Sequence, residues 1–314
     1  DRGTLTQGEV IALVNYMNQI LVALIALANL IITASKAWAS AARVNEVFDT
    51  PSTMKEGERQ VKEKEEAPAV SFSHVNFTYA RAGAPSLTDI SFKAEKGETI
   101  GVIGGTGSGK STLVSLIPRF YDTTGGEVCV SGVNVKEYPL RQLRRKIGMV
   151  PQKAVLFAGS IRDNMKWSRE DVSDQEIWEA LEIAQAREFV EKKDGLDEQI
   201  APGGRNLSGG QRQRLTIARA LAGKPEILIL DDSASALDFA TDAALRRAIR
   251  EKTRGCTVFL VSQRVSTVQQ ADKILVLDDG ALAGVGTHRE LFRNCEVYRE
   301  ICLSQLSKEE VAAL

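Results

Sequence analysis

Cysteine and histidine are both scarce in this sequence of 314 residues, and their scarcity argues against two common kinds of site. The four cysteines, at positions 129, 256, 295 and 302, are scattered and form no C-x-x-C pair. Free thiols in a reducing compartment are therefore favoured over disulfides or a metal site. The two histidines, His74 and His288, lie far apart in the chain and indicate no metal cluster.

An excess of basic charge is also missing, since the formal net charge is -1. Proteins that bind nucleic acid usually carry a basic surface, so we expect no nucleic-acid partner. The apolar content of 43% and the charged content of 26% are typical of a folded protein, and the length favours about two domains. The first residue is Asp rather than Met, as expected of a processed chain or an excised fragment.

One long apolar stretch is present, over residues 10–34. As a helix it would measure about 37 Å, enough to cross a bilayer with some tilt. We predict a helix from about Gly8 to Phe48. Lys36 and Arg43 follow the apolar stretch and favour a cytoplasmic location for its C-terminal side. The alternative is an amphipathic helix of a soluble protein.

A charged run at residues 55–66 follows this helix and predicts a solvated linker. Short strands are indicated from residue 69 onward, first at 70–72 and 75–79, then at 87–92. We therefore predict four segments: the long helix with its extension (1–50), a charged linker (51–68), a globular domain (69–305) and a tail (306–314). Within the globular domain, residues 155–221 predict a mainly helical subdomain.

A glycine-rich loop, GGTGSGKS at residues 104–111, fits the phosphate-binding pattern G-x-x-x-x-G-K-[ST]. An apolar strand precedes it and a helix follows it, as this motif requires. Backbone N–H groups and the helix N-terminus at this loop attract an anion. Lys110 would reach the β- and γ-phosphates, and the Ser111 hydroxyl would bind Mg²⁺. We predict that a nucleoside triphosphate binds to Gly104, Gly105, Thr106, Gly107, Ser108, Gly109, Lys110, Ser111 and Thr112.

Two consecutive carboxylates, Asp231 and Asp232, follow the continuous apolar strand at 227–230. Ligands gather at the C-terminal ends of parallel buried strands. Asp231 is therefore predicted to hold Mg²⁺, and Asp232 to orient an attacking water. Gln152 follows another short strand, and its amide oxygen could contact a metal or a water.

Two further features have more than one interpretation. Tyr79 could stack on an adenine or be an ordinary strand aromatic. The segment Leu207–Gln211 (LSGGQ) precedes a helix. It could bind an anion at that N-terminus, or Ser208 could simply cap the helix.

The motifs GGTGSGKS, VPQ around Gln152, LSGGQ, ILILDD and SALD, in this order, closely resemble the nucleotide-binding domain of ATP-binding cassette (ABC) transporters. The resemblance covers residues 69–305, and residues 1–50 look like the last membrane helix of an exporter-type subunit. It implies an α/β fold: a P-loop NTPase (RecA-like) core with an antiparallel β subdomain and a helical subdomain, after one long helix.

The same resemblance implies an ATPase that uses ATP and Mg²⁺ in a head-to-tail dimer with a second ABC subunit. Tyr79 would stack on adenine, Gln152 would link Mg²⁺ to the membrane domain, and the ATP of the partner would contact Ser208, Gly209, Gly210 and Gln211. The protein would lie in the cell membrane with this domain in the cytoplasm. The cargo, a small molecule, lipid or peptide, is not named by the sequence.

Two catalytic positions depart from the family pattern. Asp232 stands where the family usually has glutamate, and Gln263 stands where it usually has a switch histidine. A shorter carboxylate and an amide without a titratable proton predict slow hydrolysis, as in the degenerate half of a heterodimeric exporter. Three alternatives stay open: a homodimer in which Asp232 suffices, a soluble ABC-type ATPase acting on DNA or the ribosome, and a non-hydrolysing regulatory module.

Overall fold

The computed structural model describes residues 3, 6–50, 54, 55, 57, 61, 64, 66–233 and 237–306. The chain divides into two compact units, residues 1–55 and 56–314. Much of the predicted linker, part of the SALD motif and residues 307–314 of the predicted tail lie outside the described residues.

The first unit contains one long helix, α1 (Gln7–Asp49). Thr6 caps its N-terminus reciprocally, because its hydroxyl accepts from the Glu9 N–H and the Glu9 carboxylate accepts from the Thr6 N–H. None of its residues is buried. By length and composition it is long and apolar enough to cross a membrane, alone among the helices of the described ranges. The predicted helix over 8–48 is confirmed.

The described residues of the second unit form twelve strands and ten α-helices. The strands are β1 (Val70–Phe77), β2 (Leu87–Ala94), β3 (Thr99–Gly104), β4 (Gly125–Val130), β5 (Val133–Asn134), β6 (Ile147–Val150), β7 (Gly159–Ser160), β8 (Gln199–Ile200), β9 (Ile227–Asp231), β10 (Thr257–Val261), β11 (Lys273–Asp278) and β12 (Ala281–Gly286). The helices are α2 (Lys110–Leu116), α3 (Leu140–Arg145), α4 (Ile161–Lys166), α5 (Asp174–Ile183), α6 (Arg187–Glu191), α7 (Gly209–Ala222), α8 (Phe239–Lys252), α9 (Val265–Val268), α10 (His288–Asn294) and α11 (Glu296–Gln305).

A six-stranded sheet in the order β12-β11-β3-β10-β9-β6 forms the centre of this unit. The five strands from β11 to β6 are parallel, and only β12 runs antiparallel. All residues of β9 and β10 are buried, as their continuous apolar sequences predict for strands covered on both faces. This parallel order brings the carboxyl ends of β3, β6, β9 and β10 to one edge of the sheet.

A second, antiparallel sheet has the order β2-β1-β4-β5. Its apolar residues share a core with the central sheet, where the ring of Phe92 lies 6.5 Å from that of Phe259. The helices between α4 and α7 build another core, with β7 and β8 pairing inside that region. The α/β core with an antiparallel β subdomain and a helical subdomain, after one long helix, is the architecture that the resemblance implies.

One expectation about strands was wrong, and one six-residue strand was not expected. The strands expected at 70–72 and 75–79 form one strand, β1, which is interrupted by a register shift next to His74. His74 has a φ of 48°, a left-handed conformation found at bulges. Strand β12 was not predicted, because its small residues ALAGVG give little β signal and it pairs at the edge of the sheet.

Candidate functional site

The loop at 104–111 connects the end of β3 to the start of α2, as its motif requires. Gly107 and Gly109 have φ angles of 84° and 94°, so the loop needs glycine at both turns. A Cβ built on Gly104 would lie 2.1 Å from the carbonyl oxygen of Leu277, which excludes any larger residue there. The loop thus folds closely enough to present backbone N–H groups to an anion.

The Lys110 ammonium lies within this loop. It donates to the carbonyl oxygens of Gly104 at 2.9 Å and Gly105 at 2.5 Å, and approaches the Ser108 hydroxyl at 3.4 Å. Burial lowers the pKa of this ammonium, although the nearby carboxylates of Asp231 and Asp232 act in the opposite direction. The hydrogen bonds to the loop carbonyls hold the ammonium where bound phosphates would need it.

Asp231, at the end of β9, is buried and accepts a hydrogen bond from the Ser111 hydroxyl at 3.1 Å. Burial raises the pKa of its carboxyl above the ordinary value, while the Ser111 bond and the Lys110 charge lower it. Two of the three residues predicted to bind Mg²⁺, Ser111 and Asp231, are thus in direct contact although 120 positions separate them. Strand β10 pairs with both β3 and β9. The end of β9, which carries Asp231, therefore lies close to the end of β3, after which the loop leads to Ser111.

Asp232 adopts a left-handed backbone, with a φ of 44°. Aspartate tolerates this region better than most residues with a side chain. Its N–H donates to the carbonyl of Val261 at 2.9 Å, and its carboxylate accepts from the Gln152 amide nitrogen at 3.3 Å. The sequence predicted both residues as site residues, but neither this bond nor the backbone conformation.

Tyr79 lies just beyond β1, and its hydroxyl is 3.1 Å from that of Thr112 on α2. The rings of Phe77 and Tyr121 contact it edge-on, at centroid distances of 4.7 and 5.1 Å. Tyr121 is 43% exposed and was not predicted as part of the site. These contacts keep the Tyr79 ring beside the phosphate loop.

A cleft of about 510 Å³ brings most of the predicted residues together. It is lined by the predicted residues Tyr79, Thr106, Gly107, Gly109, Lys110, Ser111, Thr112, Gln152, Asp231, Asp232 and Gln263. Ser86, Asp279 and Gly280 also line it and were missed. They lie in loops without a motif, and their only sequence signal is the Asp-Gly turn at 279–280.

The segment 207–211 does not line this cleft in the described chain. Ser208 caps the 14-residue helix α7: its hydroxyl accepts from the Gln211 N–H at 3.2 Å, and the Gln211 side chain accepts from the Ser208 N–H at 2.9 Å. This is the capping arrangement that the sequence left open. A helix start of this kind also attracts an anion, so the cap and the predicted phosphate contact are compatible.

The family model described as "ABC transporter" matches residues 87–235, from β2 through the phosphate loop to Asp232. The matched range includes the phosphate loop, Gln152, Asp231 and Asp232, which line the cleft. The chain contains an ABC transporter ATP-binding domain.

Several known proteins are similar to the helix and the ATP-binding domain together. An uncharacterised ABC transporter ATP-binding protein of Mycobacterium bovis is 41% identical over 309 residues, 97% of this chain and 53% of that protein. A probable multidrug resistance ABC transporter ATP-binding/permease protein of Bacillus subtilis is 40% identical over 300 residues, 95% of this chain and 51% of that protein. The chain spans about half the length of these curated relatives.

A solved structure, a bacterial Atm1-family ABC exporter with ATP bound, matches with a TM-score of 0.82 at 31% identity. The match covers 98% of this chain and 54% of that one. The likeness therefore includes α1 as well as the ATP-binding domain.

The donor set of the ATP-binding domain suits Mg²⁺ better than a transition metal. The Ser111 hydroxyl and the Asp231 carboxylate are hard oxygen donors, and Mg²⁺ prefers such ligands together with phosphate oxygens and water. The described residues include no group of three or more His, Cys, Asp or Glu side chains that could hold a metal alone. A dedicated all-protein metal cage is not needed for an ion shared with a nucleotide.

Proposed function

We propose that this chain is the ATP-binding part of an ABC exporter subunit, in which ATP binding and hydrolysis drive transport across the cell membrane. The observation that carries the proposal is the single cleft lined by the phosphate loop, Asp231, Asp232 and Gln152. The likeness to an exporter with ATP bound and the apolar helix α1 support the membrane setting. The ATP-binding domain would then face the cytoplasm, and the cargo would be a small molecule, lipid or peptide.

Within the cleft, the loop N–H groups and Lys110 would bind the phosphates of ATP, and Tyr79 would stack on adenine. Ser111, Asp231 and Gln152 would hold Mg²⁺, which supplies positive charge next to the β- and γ-phosphates when it is bound. Asp232 and Gln263 both line the cleft beyond the loop. They would orient the attacking water and contact the terminal phosphate.

The partner would be a second ABC subunit, paired head to tail. Ser208, Gly209, Gly210 and Gln211 support this arrangement because they start a long helix yet lie outside the cleft of their own chain. In the dimer they would contact ATP that is held by the phosphate loop of the partner. ATP would thus close the dimer, and hydrolysis would reopen it.

The site of this chain would hydrolyse ATP slowly. Its partner would then be a different subunit with a more active site. Asp232 is one methylene shorter than glutamate, and a misplacement of about 1 Å can cost on the order of 10²-fold in rate. Its carboxylate also accepts a hydrogen bond from the Gln152 amide nitrogen, and this bond directs the carboxylate toward Gln152. Gln263 can donate a hydrogen bond but carries no charge.

The test is ATP hydrolysis by the 314-residue chain in detergent, comparing the natural sequence with the Asp232→Glu, Gln263→His double variant. We expect a slow natural chain and turnover at least tenfold faster in the double variant. The matched control, Asp194→Glu, adds a methylene to an exposed aspartate and should change nothing. Lys110→Ala gives the background rate.

Each other result has a defined meaning. Equal, normal turnover in both chains would contradict the degenerate site and favour a homodimer. ATP binding without turnover in either chain would favour the regulatory module. No detectable ATP binding would contradict the proposed function as a whole.

A further inference from the structure

A short turn, residues 262–265, connects β10 to α9 and carries Gln263 to the cleft. Ser262 anchors its start, since this residue is buried and its N–H donates to the carbonyl of Val102 at 3.0 Å. The Ser262 hydroxyl also accepts from the Arg264 N–H at 3.1 Å. Two further backbone groups of the turn are the Gln263 carbonyl and the Val265 N–H.

One distant side chain binds both of these groups. The Gln305 amide nitrogen donates to the Gln263 carbonyl at 2.8 Å, and the Gln305 amide oxygen accepts from the Val265 N–H at 2.9 Å. Val265 is the first residue of α9, so its N–H has no partner within that helix. A planar amide that binds two points of a turn restricts rotation of the backbone between them. Gln305 therefore fixes the conformation through which Gln263 enters the cleft.

The helix that presents Gln305 is firmly held. Tyr298 and Cys302, one turn apart on α11, are completely buried. They share a hydrophobic cluster with Val265 and with Ile103, the residue before Gly104 of the phosphate loop. The same cluster thus supports α11, the turn and the base of the phosphate loop, which gives the Gln305 amide a rigid base.

We propose that Gln305 is a positioning residue for ATP hydrolysis. It holds the 262–265 turn so that the Gln263 side chain is aimed at the terminal phosphate, and it acts only through Gln263. The inference rests on the proposed function, because it needs ATP in the cleft. The end of α11 would thus contribute to the nucleotide site, although α11 follows every motif of the domain along the chain.

The test combines hydrolysis with a direct measurement on the turn. Single-turnover ATP hydrolysis is measured with the full chain in detergent, in excess over ATP, for the natural sequence, Gln305→Met, Gln263→Ala and the double variant. Methionine keeps the length of the side chain and removes both hydrogen bonds. Glu300→Ala, an exposed position on the same helix, is the matched control. A fluorescent ATP analogue gives the dissociation constant, and hydrogen exchange with mass spectrometry follows the peptide at 262–268.

We expect Gln305→Met to lower the single-turnover rate about tenfold while the ATP dissociation constant changes by less than about twofold. Exchange in the 262–268 peptide should accelerate, and the variant should lose nothing further in the Gln263→Ala background. Glu300→Ala should match the natural sequence.

Four results would overturn the inference: an unchanged rate, unchanged hydrogen exchange, an equal loss of ATP affinity, or the same loss of rate in the Gln263→Ala background. If Gln305→Met does not fold, Gln305→Glu replaces it. That variant keeps the acceptor for Val265 but loses the donor to Gln263, so a normal rate would also count against positioning. Absence of ATP binding by the natural sequence would contradict the proposed function instead, and the exchange measurement would still decide whether Gln305 holds the turn.

Discussion

At the scale of single residues, the cleft places one partly buried cation near two carboxylates. The Lys110 ammonium is bound by carbonyl oxygens of its own loop, while Asp231 is bound by the Ser111 hydroxyl. Burial lowers the pKa of the Lys110 ammonium and raises the pKa of the Asp231 carboxyl, so it disfavours the charged form of each group. A bound phosphate would give the ammonium an anionic partner in place of neutral carbonyls.

We therefore expect Lys110→Ala to weaken ATP binding by roughly 10- to 100-fold, the worth of a charge-assisted hydrogen bond of about 1.5–3 kcal/mol. Isothermal titration calorimetry of the 314-residue chain in detergent checks this. Lys192→Ala is the control, because Lys192 is exposed and pairs with Glu188 on the surface. An affinity for ATP that survives the loss of Lys110 would contradict the assigned phosphate contact.

At the scale of elements, reciprocal capping boxes define the N-termini of five described helices, α1, α4, α5, α7 and α10. In α5 the box is reinforced. The Glu176 carboxylate accepts from the Ser173 N–H at 2.9 Å and pairs with Lys224 at 2.8 Å and Arg169 at 2.9 Å. These partners, Lys224 first, lower the pKa of Glu176 far below its ordinary value. One carboxylate thus links α5 to Lys224, two residues beyond the end of α7.

Because the folded-state pKa of Glu176 is depressed, its contribution to stability is present above the ordinary pKa of 4.5 and is lost as the pH falls below that value. Glu176→Gln should therefore lower the urea midpoint at pH 7, and this difference from the natural chain should shrink between about pH 4.5 and pH 3. Urea unfolding followed by circular dichroism at several pH values measures it. Glu179→Gln on the same helix is the control, and a difference that does not vary with pH would refute the expectation.

At the scale of the whole molecule, the proposed dimer places the N-terminus of α7 against ATP held by another chain. Gly209 is the first residue of that helix, and a Cβ built on it would meet only the Arg212 guanidinium, at 4.0 Å. A side chain there is therefore compatible with the fold, and an acidic one suits a helix N-terminus. In the dimer, however, it would face the γ-phosphate and repel it.

Gly209→Asp should accordingly reduce self-association of the chain with a non-hydrolysable ATP analogue by tenfold or more, while the affinity of each chain for the analogue stays the same. Sedimentation velocity in detergent at high protein concentration measures the association. Gln175→Glu, which adds the same charge to the exposed side of α5, is the control. If the natural chain self-associates measurably, equal association of Gly209→Asp would contradict a contact between this segment and the ATP of a partner.

Many elements of the fold can be predicted from the sequence alone, because local sequence patterns determine them. Helix α1, the buried strand β9 and the strand–loop–helix around Lys110 were predicted from apolar runs and glycine spacing. The Ser208 cap was likewise one of the two interpretations of its segment. In each case neighbours along the chain determine the outcome, through backbone geometry and burial of a continuous apolar stretch.

The tertiary structure alone decided what depends on distant pairs. The Gln152–Asp232 bond joins residues 80 positions apart, and Gln305 reaches a turn 42 positions before it. The left-handed backbone of Asp232 directly follows the end of β9, and that of His74 lies at the register shift between β1 and β2. No period or motif encodes such contacts, because they exist only after the parallel sheet has brought the ends of β9 and β10 together and α11 has packed against the phosphate-loop strand.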